Sequence, residues 1–169
     1  MSDFDEFVAA HVDGLLRTAY LIVWDESEAE DLVQECLLKV ARRWARIRRM
    51  ERPAGYARRI LVNLSLDDAR GRARRRSELQ LLPRDETDAS DAFHAVDGRL
   101  ELLEALARLP ARQRAVLVLR YFNDLTEAQV ADVLGCSPGT VKSSASRGLA
   151  RLHEALQPAH SNQGAPPNE

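Results

Sequence analysis

Apolar residues recur at steps of three and four along most of this chain, a period that predicts helices and not strands. From Asp3 to Val23, Phe4, Phe7, Val8, His11, Val12, Leu15, Ala19 and Tyr20 form one amphipathic stripe, with His11 as a core residue. A turn around Trp24 to Glu26 comes next. Ser27 with Glu30 three residues on then reads as a capping box, and the acids of that first turn suit the positive end of a helix dipole. The pattern predicts one long helix from Glu28 to about Arg49, with Leu32, Cys36, Val40, Trp44 and Ile47 inward, backed by Val33 and Leu37. Asp31, Gln34, Glu35, Leu38 and Arg42 lie on the opposite side. A leucine among acids there is either an ordinary exposed leucine or the apolar centre of a docking surface.

After the short basic break RIRRMER, a helix is predicted from Pro53 to about Arg70. Tyr56, Ala57, Ile60, Leu61 and Leu64 point inward, and Arg58, Arg59, Asn63 and Ser65 toward other surfaces. It ends in RGRARRR, Arg70 to Arg76. From Leu79 to about Asp97, Pro83 and the acid-rich string RDETDASDA predict a tether, because low hydrophobicity and like charge oppose packing. Arg99 opens a new helical pattern with Leu100, Leu103, Leu106 and Ala107 on one face, closed by Leu109. Pro110 starts a segment carrying Val116, Leu117, Leu119, Tyr121 and Phe122, and Asn123-Asp124 makes a turn. The tail after Leu156 is expected to be disordered.

The most informative stretch is Thr126 to Leu152. Thr126 and Gln129 form a capping box, Val130, Val133 and Leu134 an apolar stripe, and Gly135 a C-terminal stop that takes the left-handed conformation without a Cβ clash. Ser137 caps the next helix with Pro138 at its first position. Small Ala131, Gly135 four later and Val141 six beyond that suit a helix-turn-helix that reads nucleic acid; a plain helical hairpin is the alternative.

Charge sharpens this picture. The net charge is −2, but residues 1–35 carry −9, residues 36–76 carry +11, residues 77–107 carry −6 and residues 108–157 carry +3. Fourteen Lys and Arg against three acids in the second block are the footprint of a polyanion partner, with a solvated basic helix face as the bland alternative. Cys36 and Cys136 have no Cys or His neighbour at metal-ligand spacing and read as buried free thiols. No metal site, cofactor, nucleophile–base pair or phosphate-binding loop is expected, so the chain is not read as an enzyme. No run reaches the roughly 20 apolar residues of a membrane span, which gives a cytoplasmic reading. The expected fold is all-α, two small helical domains at 1–76 and 99–157 joined by a flexible acidic linker over 77–98, with a disordered tail at 158–169.

Five segments in order, FDEFVAAHVDGLLRTAYLI, AEDLVQECLLKV, RPAGYARRILVN, LPARQRAVLVLRYF and LTEAQVADVLGCSPGTVKSSASRGLARL, resemble bacterial RNA polymerase sigma factors of the extracytoplasmic-function group. This is the minimal kind with only sigma domains 2 and 4, and the chain is especially similar to the actinobacterial SigE-family subset. The resemblance implies that Asp31, Gln34, Glu35 and Leu38 dock on the β′ clamp helices of core polymerase, with further contact to the β subunit. It implies that the loop from Ile47 to Arg52 and the helix after it open the −10 element and hold an extruded base, through Arg48, Arg49, Arg58, Arg59 and Asn63. Ser137, Thr140, Lys142, Ser143, Ser146 and Arg147 would read the −35 element. Where many members carry Arg then Leu after the Lys-Ser, this chain has Ser144 and Ala145, which implies a lost phosphate contact, some lost apolar packing and modest −35 affinity. The implied partners are core RNA polymerase, promoter DNA and in some members an anti-sigma factor, and the two domains would separate along the tether on the polymerase. A stand-alone helix-turn-helix regulator is the rival reading; it leaves the DLVQE face and the basic block unexplained.

Overall fold

The computed structural model describes residues 2–78 and 97–157, and among these every regular element is helical. Helix α1 spans Asp3–Val23, α2 Glu26–Ala41, α3 Trp44–Ile47 and α4 Pro53–Glu78. Helix α5 spans Asp97–Ala107 and α6 Ala111–Leu117, which runs into a π-helical turn over Val118–Phe122. Helices α7, Glu127–Leu134, and α8, Pro138–Leu156, complete the described elements.

Helix α1 begins on a capping box: Ser2 accepts from the Asp5 amide, and the Asp5 carboxylate accepts from the Ser2 amide. It ends at Trp24, which takes the left-handed conformation (φ 60°) and donates its amide to the Tyr20 carbonyl at 2.7 Å. The next helix starts two residues earlier than the Ser27–Glu30 box predicts. Asp25 is the cap, accepting from the Glu28 amide at 2.8 Å, and an extended Asp25 backbone fits directly against the left-handed Trp24. The predicted single helix from Glu28 to Arg49 breaks at Arg42-Arg43 and resumes as the short α3. Trp44 and Ile47 keep the inward phase across the break: Trp44 packs on Phe4 and Phe7 (centroids 5.3 and 4.8 Å), and Ile47 is fully buried.

Helix α4 runs through the whole RGRARRR stretch instead of ending near Arg70. Ion pairs Arg70–Asp67 (3.1 Å) and Arg72–Asp68 (3.0 Å) at helical spacing help carry it there. The helices thus reach into both ends of the predicted 77–98 linker; 79–96, like the tail 158–169, lies outside the described residues. Ser65, expected to face outward, is fully buried, its hydroxyl bonded back to the Leu61 carbonyl at 2.9 Å. That bond removes the cost of burying the hydroxyl.

In the second half Pro110 is the cap residue and α6 starts at Ala111. Arg114 is buried, and its Nη1 donates to the Ala107 carbonyl at 2.8 Å, satisfying a free acceptor at the α5 C-terminus. The π turn widens the helix, and Tyr121 and Phe122 at its end are exposed. One apolar core runs through both halves. Helix α1 packs on α2 and α4, α8 on α5, α6 and α7, and the two halves meet where α4 touches α7 and α1 touches α6 and the π turn.

Gly148 sets the approach of α8 to α6, since a Cβ there would stand 3.0 Å from Leu117 Cδ1. Gly148→Val should overpack this contact by about 1–3 kcal/mol and lower the melting temperature by several degrees. Gly148→Ala, where the helix-propensity gain offsets a lighter contact, should melt close to wild type. Thermal unfolding of the two variants checks the ordering.

Candidate polymerase and promoter interfaces

Helix α2 buries Leu32, Val33, Cys36 and Val40 against α1 and α4, which fixes what faces away. Asp31, Gln34, Glu35 and Leu38, at steps i, i+3, i+4 and i+7, share one exposed face. Leu38 is 59% exposed, with Glu35 paired to Lys39 at 3.2 Å beside it. Cys36, on the inner face, is a buried free thiol that donates to the Ala57 carbonyl at 3.2 Å, and burial pushes its pKa up to about 11. Cys136 is also free but only half-buried.

The basic block folds around a cleft of about 310 Å³. Met50, Arg52, Gly55, Tyr56, Arg58 and Arg59 form one wall, and Leu125, Gln129, Asp132 and Val133 of the other half form the opposite wall. Arg58 is half-buried, and desolvation holds its guanidinium below the usual arginine range. Asn63 donates from Nδ2 to the Arg59 carbonyl at 2.9 Å and toward the Val133 carbonyl at 3.4 Å. Arg48 and Arg49 are exposed outside this cleft, with Arg48 paired to Asp3 at 3.3 Å. Ile47, expected as part of the DNA-facing loop, is instead the buried anchor of that loop. Gly55 and the α7 residues were not legible as site residues, because only the tertiary arrangement brings them to the cleft.

A second polar cluster was also missed. Glu28 of α2 and Asp68 of α4 both pair with Arg72. Burial, then the Asp68 carboxyl beside it, pushes the Glu28 carboxyl up to about 8 against the opposing pull of Arg72. A pKa raised in the folded state means the stabilisation is complete below the unfolded value near 4.5 and is lost as pH rises through about 8. Stability should therefore decline from pH 5 to pH 8.5, and Glu28→Gln should flatten that decline. Melting curves across this range test it; an unchanged slope in the variant would assign the pH dependence elsewhere.

The helix-turn-helix has the predicted caps. Thr126 and Gln129 exchange bonds at 3.2 and 2.9 Å, Gly135 sits at φ +62°, and Ser137 accepts from the Thr140 amide at 3.1 Å. Val141 of α8 is buried, and α7 and α8 pack against each other. On α8, Ser137, Thr140, Lys142, Ser146 and Arg147 are exposed and Ser143 is half-buried, its hydroxyl bonded to the Thr140 carbonyl at 3.1 Å. Ser144 and Ala145 are both buried, so the position expected to have lost a phosphate contact is a packing position in this chain.

Among the described residues no group of His, Cys, Asp and Glu is arranged to hold a metal ion, and no helix is long and apolar enough to cross a membrane. Residues 7–75 match sigma-70 region 2 and residues 99–152 match sigma-70 region 4. The chain is 36% identical to the RNA polymerase sigma-E factor of Streptomyces avermitilis over 92% of its own length and 86% of that protein's. It is 33% identical to the ECF RNA polymerase sigma factor SigE of Mycolicibacterium smegmatis, over 98% of this chain and 65% of that one. The fold resembles the sigma factor RpoE of Bartonella quintana, solved with the anti-sigma factor NepR (TM-score 0.76, 24% identity, 95% and 100% of the two chains). It also resembles CnrH, solved with the cytosolic domain of CnrY (TM-score 0.62, 25% identity, 94% and 89%). With 34% identity also to the ECF RNA polymerase sigma factor SigL of Mycobacterium tuberculosis, over 87% of this chain and 81% of that one, the chain belongs to the sigma-70 family of RNA polymerase sigma factors, within its extracytoplasmic-function group.

Proposed function

We propose that this sigma factor, which directs promoter-specific transcription initiation, docks on the β′ clamp helices through Asp31, Gln34, Glu35 and Leu38 of α2. The observation that carries this reading is the exposed leucine within a polar rim, on the same domain as a basic cleft. A regulator that used only its helix-turn-helix would need neither. Arg48, Arg49, Arg58, Arg59 and Asn63 contact the opened −10 strand, where base contacts and Arg–phosphate attraction offset a few kcal/mol of unstacking. Residues Ser137, Thr140, Lys142, Ser143, Ser146 and Arg147 of α8 read the −35 duplex, with residues 1–76 and 99–157 acting as separate domains and the second meeting the β subunit. The chain itself performs no chemistry; phosphodiester formation belongs to the polymerase, and the shared partner places the protein in the cytoplasm. An anti-sigma factor as a third partner is supported by the complex of RpoE with the anti-sigma factor NepR.

Pull-down with core polymerase, comparing wild type with Gln34→Ala/Glu35→Ala, tests the docking face, and run-off transcription over a promoter library tests the outcome. A wild type that neither binds core nor yields a promoter-dependent transcript would return the chain to a stand-alone helix-turn-helix regulator. Arg147→Ala should weaken −35 duplex binding and reduce its salt slope by roughly one ion, read from binding isotherms at several salt concentrations.

A further inference from the structure

Helix α3 is too short to hold itself in place. Its four residues close a single turn, and the Arg43 cap position makes no side-chain hydrogen bond to it. Helices of this length are unstable alone in water, so the surface that α3 packs on decides where it points. Its direction matters because the basic loop proposed to hold the extruded −10 base leaves from its end, at Arg48.

Fully buried Ile47 anchors one side of α3. The first turn of α1 holds another. Phe4 meets the Trp44 ring edge to face, with centroids 5.3 Å apart and planes at 66°, and Phe7 lies 4.8 Å from the same ring. The Trp44 indole Nε1 is buried with no hydrogen-bond partner among the described residues, so ring packing orients it. One residue before Phe4, the Asp3 carboxylate accepts from Arg48 Nη1 at 3.3 Å. Trp44 and Arg48 are four residues apart and therefore share one face of α3. Two neighbouring residues of α1 thus grip α3 at two points along its length, which fixes its rotation where a single contact would not. The gripping turn is itself closed by the Ser2–Asp5 capping box.

We propose that Asp3 and Phe4 are positioning residues for −10 recognition, setting the direction in which Arg48 and the loop after it leave α3. Neither needs to touch DNA. Phe4 acts through Trp44. Asp3 acts through Arg48, holding one nitrogen of the guanidinium and leaving the rest of its N–H fork open to a phosphate or a base edge. This role deepens the −10 reading of the 47–52 loop given above and rests on it.

The test uses the full chain with core RNA polymerase and a duplex pool randomised over both promoter elements. Templates held in heparin-resistant complexes are sequenced. The readout is the preference for the favoured over the next base at the most selective −10 position. A protein that is merely destabilised forms fewer complexes at the same preference. Phe4→Leu, which keeps apolar bulk and removes the ring edge, should lower the −10 preference about fivefold, the size of an aromatic pair. Asp3→Asn should lower it about threefold, the size of an exposed ion pair, and Asp3→Glu should restore it. In an Arg48→Ala background Asp3→Asn should change nothing further, because the group it acts through is gone. Glu6→Gln makes the same charge change in the same turn, on an exposed side chain unpaired among the described residues, and should match wild type. The −35 preference and the affinity for core polymerase should stay within twofold throughout. A wild-type −10 preference in Phe4→Leu or Asp3→Asn overturns the proposal, as does an Asp3→Asn effect that persists without Arg48. If those two variants keep the preference while Arg48→Ala loses it, the −10 assignment stands and only the positioning role is lost. If Arg48→Ala itself keeps it, the −10 assignment of Arg48 fails and the positioning role falls with it.

Discussion

Leu38→Asp should weaken binding to core RNA polymerase by at least about 30-fold and leave the fold intact. The size is set by the position. An apolar side chain at the centre of a polar rim is the kind of contact whose loss costs about 2 kcal/mol or more, and each 1.4 kcal/mol is a factor of ten. Aspartate adds to that loss, because it joins Asp31 and Glu35 on the same face and must be desolvated or excluded at the interface. In the free chain Leu38 is 59% exposed and makes little packing contribution, so the melting temperature should stay within a degree or two of wild type. Leu38→Met, similar in volume and apolar, should bind nearly normally. Fluorescence anisotropy of labelled protein titrated with core polymerase measures the affinity. Unaltered binding by Leu38→Asp would take α2 out of the docking role.

The same face shows how much of this fold is specified by local sequence pattern. Its four residues were legible from helical spacing alone, because Leu32, Cys36 and Val40 inside fix Asp31, Gln34, Glu35 and Leu38 outside. The partner proposed for this face is not legible from spacing; it rests on resemblance to a family. The helix-turn-helix was legible to the residue, because its signals are local: a capping box, a left-handed glycine and a serine cap each act within four residues. Errors arose where two local signals competed or where phase survived a break. Asp25–Glu28 and Ser27–Glu30 are overlapping capping patterns, and the left-handed Trp24 decided for the first. Trp44 and Ile47 continue the α2 stripe through Arg42-Arg43, so periodicity alone could not reveal the interruption. Polarity alone points Ser65 outward, yet a bond to its own helix makes it a core residue. The Glu28–Asp68–Arg72 cluster and the cleft shared by α4 and α7 depend on which helices meet, and no single stretch carries that information.

Leu61→Ala should be the most damaging single core change in the first half of the chain, costing about 2–5 kcal/mol and lowering the melting temperature by roughly 10 °C. Leu61 is fully buried on α4 where α4 meets α2, close to Cys36, and its neighbours Ala57, Val62 and Ser65 are buried too. Surroundings this fixed cannot collapse into the space of three lost carbons, which places the cost above simple transfer of those groups from water. The functional consequence differs from that of Leu38→Asp. The packing of α2 on α4 holds the proposed docking face on one side and Arg58, Arg59 and Asn63, proposed for the −10 strand, on the other, so loosening it should degrade polymerase binding and −10 opening together. Both losses should appear only as temperature approaches the lowered midpoint and should vanish on cooling. Leu38→Asp should instead impair docking at every temperature and leave single-stranded DNA binding unchanged. Transcription and core binding measured at about 15 °C and about 37 °C, on either side of the temperatures where a lowered midpoint begins to matter, separate the two. A Leu61→Ala protein equally defective at both temperatures would mean that this packing contact shapes the interfaces directly, beyond keeping them folded.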